Sequence, residues 1–199
     1  MKKISFGLPS VCALTSVLCG CITTPPPVNL YDFGTTPSES AAPACNLPPL
    51  YLADISSTAV TDSNLMLYRL LYDNDQQTHA YASHRWSMTP AQLLALRIKA
   101  QLAGNNVSLV DLGMANPNGW QLRLDLNDFT QNFSDATHSY AQIEVRASVL
   151  RANQLVAQTT LKQRADAASP DAPSGARSMR TAADALITDL NNWLCKLPR

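Results

Sequence analysis

Residues 120–161 alternate apolar and polar side chains so regularly that only extended strands with one wet and one dry face satisfy the pattern. Trp120, Leu122, Leu124 and Leu126 alternate with Gln121, Arg123, Asp125 and Asn127. The parity then changes, because Phe129 and Phe133 are odd-numbered. One extra residue near Asn127 and Asp128, a bulge, would return both sets to the same face. Ala141, Ile143, Val145, Ala147 and Val149 continue the alternation, with Gln142, Glu144 and Arg146 pointing outward. Residues 151–153 form a tight connection, and 154–162 return with Leu155, Ala157 and Leu161 in step. Three strands joined by short loops predict an antiparallel meander that keeps one polar face in water.

The rest of the chain supplies the cover for the dry face. Residues 50–55, 65–72 and 80–86 read as strands, with the polar run 73–79 as the turn of a hairpin. Thr89 is placed to cap a helix that Pro90 opens, burying Leu94, Ile98 and Leu102 and ending at Gly104 and Asn105. Residues 107–112 predict a short strand, 115–119 a turn, and 165–177 a loop. A last helix, from about Ser174, carries Ala183, Leu186, Ile187, Leu190, Trp193 and Leu194 on one stripe. Two amphipathic helices need a sheet face to cover. The expected fold is therefore a two-layer α+β domain, a largely antiparallel sheet with two helices packed on one face.

The N-terminus sets the compartment. Lys2 and Lys3, an apolar run over 4–18 broken by Pro9, and then Leu18, Cys19, Gly20 and Cys21 have the order of a secretory signal. The run is shorter than the roughly 20 residues that span a bilayer. Leucine at −3, a small residue at −1 and cysteine at +1 resemble the lipobox, where a signal peptidase cuts before a lipidated thiol. We therefore expect residues 1–20 to be removed and Cys21 to carry lipid. Ile22 rather than aspartate in second place favours export to the outer membrane. Residues 21–48, with Pro25, Pro26, Pro27, Pro37, Pro43 and Pro48, read as a tether. Within it VNLYDFG (28–34) is suited to dock as an added edge strand, and 49–199 form the domain.

Lys and Arg together number 15, as do Asp and Glu, and no basic run occurs, so nucleic acid has no electrostatic footprint here. Cys12 and Cys19 leave with the signal and Cys21 is lipidated, which leaves Cys45 and Cys195 to pair in an oxidising space. That disulfide would close a loop of about 150 residues, for which chain entropy supplies on the order of 4 to 5 kcal/mol.

The stretches MLYRLLYDNDQQTHAYASHRWSMTPAQLLALRIKAQL, WQLRLDLNDFTQNF, AQIEVRASVL and SPDAPSGARSMRTAADALITDLNNWL occur in this order over nearly all of the mature chain. Together they resemble the ABC-type transport auxiliary lipoprotein family, which includes the paraquat-inducible lipoprotein C type. The most specific part is Tyr68 and Arg69, followed by Tyr81, Arg85, Trp86 and Pro90; residues 31–34 also match the family's opening segment. The resemblance implies a lipoprotein anchored on the periplasmic face of the outer membrane. Such a protein would serve MCE-domain transport systems, with their permease and ATPase, that move phospholipid or similar molecules between the membranes, and homo-oligomers would fit that role. The alternative is a structural or assembly lipoprotein of the outer membrane. The Cys45 and Cys195 pairing is not implied by the family and rests on compartment chemistry.

No GxxxxGK[ST] loop, GxSxG elbow or HExxH motif occurs, so the chain is expected to be neither the ATPase nor an enzyme, and to need no cofactor. His79, His84 and His138 lack partners at ligand spacing, and Asp73, Asn74 and Asp75 open a calcium-like loop that lacks its glycine and closing glutamate. No metal is expected. Arg85 and Trp86 are candidate partner contacts because such residues dominate interfaces. The competing reading packs Trp86 under the first helix and pairs Arg85 locally. Tyr68, Arg69 and Tyr81, on adjacent strands, should form a local cluster.

Overall fold

Alternation over residues 120–126, resumed one position later at Phe129, runs through the 14-residue strand β7 (Trp120–Phe133), the spine of the sheet. The computed structural model describes residues 27–35, 47–59, 61–104, 107–110, 116 and 118–197. Along its whole length β7 pairs antiparallel with β8 (Ser139–Arg151), which in turn pairs with β9 (Gln154–Asp166). The register slips between Leu126 and Asp128, where Asn127 has no partner on β8. This is the bulge that the change of parity requires. It lets Leu122, Leu124, Leu126 and Phe129, all at most 2% exposed, share the dry face. Ala152 and Asn153 join β8 to β9 with positive φ, the backbone twist that a two-residue hairpin turn demands.

The other edge of β7 is divided among three short strands, all parallel to it. β2 (Leu50–Leu52) lies opposite residues 120–122, β3 (Ser56–Ser57) opposite Asp125 and Leu126, and β4 (Leu65–Leu70) opposite residues 131–133. β6 (Leu109–Val110) adds parallel to β2, β5 (Asn74–Trp86) adds antiparallel to β4, and β1 (Asn29–Tyr31) adds parallel to β5. Among the described residues the sheet is open and nine-stranded, antiparallel in its long pairings, and with two helices the class is α+β.

α1 (Pro90–Gly104) opens on a reciprocal cap: the Gln92 N–H donates to Thr89 Oγ1 at 3.4 Å, and the Thr89 N–H donates to Gln92 Oε1 at 3.1 Å. Leu94, Ile98 and Leu102 are completely buried. α2 (Ala172–Leu194) opens on Asp171, whose carboxylate accepts the Ser174 N–H at 2.7 Å. Its stripe of Met179, Ala183, Leu186, Ile187, Leu190 and Leu194 lies against β7, β8 and β9. The small residues Ala141 and Ala147 of β8 and Ala176 and Ala182 of α2 let helix and sheet approach closely.

Four boundaries differ from the sequence reading. The strand expected at 50–55 is shorter, β2 covering only residues 50–52, and β3 follows separately at 56–57. The strand at 107–112 is described only over Leu109–Val110. The polar run 73–79 is not the turn: β5 begins at Asn74, and its first residues are wet on both faces, so they show no period. The loop at 165–177 is shorter, because β9 runs to Asp166 and α2 starts at Ala172. Pro173 is tolerated in the first helical turn, and the small residues that read as loop are those the helix needs where it meets the sheet.

Gly175 makes that need measurable. A Cβ there would sit inside the contact radius of the Gln131 side-chain amide. Gly175→Ala should therefore destabilise by about 1 to 3 kcal/mol, despite the better helix former, because Gln131 must give up its buried hydrogen bonds. In a Gln131→Ala background the same change should become neutral or stabilising by up to about 1 kcal/mol. Denaturant unfolding of the four-member cycle reads this sign reversal.

Candidate functional site

The six residues singled out from the sequence fall into separate environments. Tyr68 on β4 and Tyr81 on β5 meet with ring centroids 4.7 Å apart, and Tyr68 also stacks on His79 at 5.1 Å and meets the edge of Phe133 at 5.7 Å. Tyr81 donates its hydroxyl to Gln131 Oε1 at 3.0 Å. Gln131, buried on β7, donates in turn to Ser139 Oγ at 2.9 Å and to the Asp171 carbonyl at 3.2 Å. His84 joins the group through the Tyr31 hydroxyl, 3.1 Å from its Nδ1, and through the Tyr81 ring. A half-buried set of Tyr31, Tyr68, His79, Tyr81 and His84 thus collects beside the N-terminus of α2.

The remaining four point elsewhere. Arg69, one residue on from Tyr68, emerges on the opposite face and pairs with Asp128 at 3.4 Å and Thr130 at 3.3 Å. Arg85 folds back onto its own strand and donates to the Tyr81 and His84 carbonyls. Trp86 is 2% exposed and lies edge-on to Phe33 and Phe129, with centroids at 6.1 and 5.3 Å. Pro90 is the buried first residue of α1.

From β1 the chain threads between the helices. Phe33 is buried in the core, and Gly34 takes φ +60, a conformation that favours glycine. The Arg97 guanidinium, with only 2% of its side chain exposed, donates to the Thr35 carbonyl at 3.0 Å and clasps Asp184 of α2 through two bonds at 2.7 and 2.9 Å. Gln101 adds a third bond to Asp184, at 2.5 Å. One buried cation therefore ties α1, α2 and the N-terminal strap together. Shallow clefts flank the strap, lined by Met88, Leu93 and Leu96 on one side and by Pro173, Ala176 and Arg180 on the other.

The face away from the helices is a hydrogen-bonded polar lattice. Arg146 donates to Asp125 at 2.9 Å, Lys162 meets Glu144 at 3.2 Å, and Arg164 donates to Gln142 at 2.7 Å while covering the Tyr140 ring at 4.8 Å. Hydrogen bonding by Ser56, more than the pairing with Arg146, holds the Asp125 carboxyl below the usual carboxylate range.

The chemistry of the aromatic cluster is that of a clamp. Burial, reinforced by Tyr68 and Asp171 nearby, pushes the Tyr81 hydroxyl far above the usual tyrosine range, so it keeps its proton and acts as a donor. Among the described residues no group of three His, Cys, Asp or Glu side chains is placed to hold a metal ion. Cys195, the C-cap of α2, is disulfide-bonded. Cys45 and the lipidation residue Cys21 lie outside the described residues. Sequence reasoning missed Tyr31, Gln131, Asp171 and Arg97 as members of these networks. A glutamine on the apolar parity of β7 and an arginine in line with Leu94 and Ile98 were the available signals.

A family model described as the ABC-type transport auxiliary lipoprotein component matches residues 31–191. The sequence matches none of the curated proteins. Among solved structures, a Xanthomonas campestris protein assigned to a family of unknown function superposes with a TM-score of 0.71 at 19% identity, covering 83% of this chain and 94% of that one. A second, described only as an uncharacterized protein, reaches 0.62 at 10% identity, over 84% and 98%. These two show the fold. No helix among the described residues is long and apolar enough to cross a membrane.

Asp171 gives the cluster a pH signature. The Ser174 N–H, then the Ser169 hydroxyl, hold its carboxyl below the usual range. A depressed folded pKa contributes stability that is present above the unfolded value, near 3.9, and is lost as pH falls through the folded value. Asp171→Asn keeps an acceptor oxygen but cannot titrate. The stability difference between wild type and Asp171→Asn should be constant above about pH 5 and change in the variant's favour below about pH 4. Urea unfolding across that range measures it.

Proposed function

Because the chain belongs to the family of ABC-type transport auxiliary lipoprotein components, we propose that it is the outer-membrane-anchored, periplasmic auxiliary subunit of an MCE-type lipid transport system. Cys21 carries the lipid, and the domain docks on the MCE-domain protein that works with a permease and an ATPase. The observation that carries this reading is the family match, which spans every long strand and nearly all of both helices. The lipobox residues Leu18, Gly20 and Cys21 supply the anchor.

The work of such a subunit is binding, and the fold offers a place for it. β9 is 13 residues long and pairs on one side only among the described residues. A free edge of that length can accept an added strand from a partner, while Lys162 and Arg164 on it discourage indiscriminate pairing. The clamp of Tyr81, Gln131 and Asp171 serves rigidity rather than turnover, and on this reading the protein is not an enzyme and needs no cofactor. Cys45 is the thiol left to pair with Cys195 once the signal is cut and Cys21 is acylated.

Affinity purification from crosslinked, detergent-solubilised envelopes tests the proposal. The wild-type chain should bring down an MCE-domain protein with its permease or ATPase and enrich phospholipid, and Cys21→Ser should lose that set. Recovery of outer-membrane or cell-wall assembly proteins alone would overturn it. Separately, Cys195→Ser should lower stability by up to about 4 to 5 kcal/mol, and Cys45→Ser by the same amount. Unequal losses in thermal unfolding would break the pairing.

A further inference from the structure

Among the described residues six large apolar side chains stand exposed, and four of them lie along the β5 side of the sheet in two groups, Val28 and Leu30 beside the C-terminal end of β5 and Leu71 and Tyr72 in the turn at its other end. Val28 and Leu30 belong to the outermost strand β1 or precede it, and Leu71 and Tyr72 form the turn between β4 and β5. The other two, Leu96 and Leu155, lie on α1 and at the start of β9.

Chain length says what covers this border. Six peptide steps separate Cys21 from Pro27, the first described residue, and fully extended they reach roughly 20 Å. That is less than the width of the sheet from β1 to β9, about 24 Å for five strand spacings. A lipid attached at Cys21 therefore cannot hold the domain far from the membrane, and the border bearing β1 is the part drawn nearest. The parallel register of β1 on β5, with Asn29 opposite His84, places Pro27 and Val28 on the β4–β5-turn side of Asn29.

We propose that the β1–β5 border and the β4–β5 turn are the face this protein lays on the lipid bilayer. The assignment rests on the reading of Cys21 as the anchor. The anchor supplies affinity and the apolar border supplies orientation, with Tyr72 suited to the headgroup level, where an apolar ring can keep a wet hydroxyl. Asp73 and Asp75, exposed beside Tyr72, keep the contact shallow and favour a zwitterionic surface over an anionic one. β9, on the opposite edge, then faces away from the membrane and toward partners in the periplasm.

The lipidated full chain, bound to vesicles of phosphatidylethanolamine with a minor share of phosphatidylglycerol and doxyl-labelled lipid, tests this through a fluorophore at Leu30→Cys, Tyr72→Cys or Leu155→Cys. Quenching several-fold stronger at positions 30 and 72 than at 155 is expected. Flotation separates the two layers of the argument. Failure to float would end the Cys21 reading and this inference with it, whereas flotation with equal quenching, or with stronger quenching at 155, would overturn the orientation alone. Hydrogen exchange on the unaltered sequence gives a check free of substitutions. Relative to an unlipidated chain of residues 22–199, vesicle-bound protein should exchange more slowly at the β4–β5 turn, and slowing at β9 instead would reverse the assignment.

Discussion

A β-strand has two hydrogen-bonding edges, and this architecture follows from how β7 divides its own. One edge goes entirely to β8, in an antiparallel register that holds from Trp120 to Phe133 with a single slip. The other is shared end to end by β2, β3 and β4, which satisfy successive stretches of backbone and leave the chain free to bend between them. Everything else attaches through these pairings: β9 through β8, β5 and β1 through β4, and the helices through the dry face that the alternating residues of β7 and β8 create. Without the bulge at Asn127 the second half of β7 would present Thr130 and Asn132 to the helices in place of Phe129 and Gln131.

Buried polar groups then decide where the covering elements sit. Apolar packing tolerates sliding, whereas an uncompensated buried cation or amide does not. Arg97 holds the two helices and the strap in one arrangement because Asp184 and the Thr35 carbonyl answer its donors together. Gln131 does the same at the start of α2, satisfying Tyr81, Ser139 and the Asp171 carbonyl at once. The price of such specificity is that each network fails as a unit when one member is lost.

The legible parts of the fold were those with a strict period. The meander, the bulge and the apolar stripes of both helices could be read because their apolar residues recur at a fixed spacing, and the cap at Thr89 because Thr and Pro stand side by side. Where a strand is wet on both faces, as in the first half of β5, the period disappears although the backbone pairing does not. A two-residue parallel strand such as β3 is held by distant residues and leaves no local mark. The aromatic cluster was half legible: Tyr68 and Tyr81 stood out on neighbouring strands, but Tyr31 reaches them from far upstream through a parallel pairing. Arg69, Arg85 and Trp86 looked like one motif in sequence and lie on different sides of the sheet, since adjacent residues of a strand face opposite ways.

The division of β7's edge also sets a timetable for folding. β2, β3 and β4 all precede β7 in the chain, and Leu50 waits for Trp120, about 70 residues later, before its pairing can form. As the polypeptide emerges from its N-terminus, the β4–β5 hairpin and α1 are the described elements ahead of β7 that can form from local contacts. The core closes when the last two-fifths of the chain arrive with β7, β8, β9 and α2. Under the proposed reading of residues 1–20 as an export signal, this order withholds the strand on which the sheet is assembled until more than half of the chain has passed.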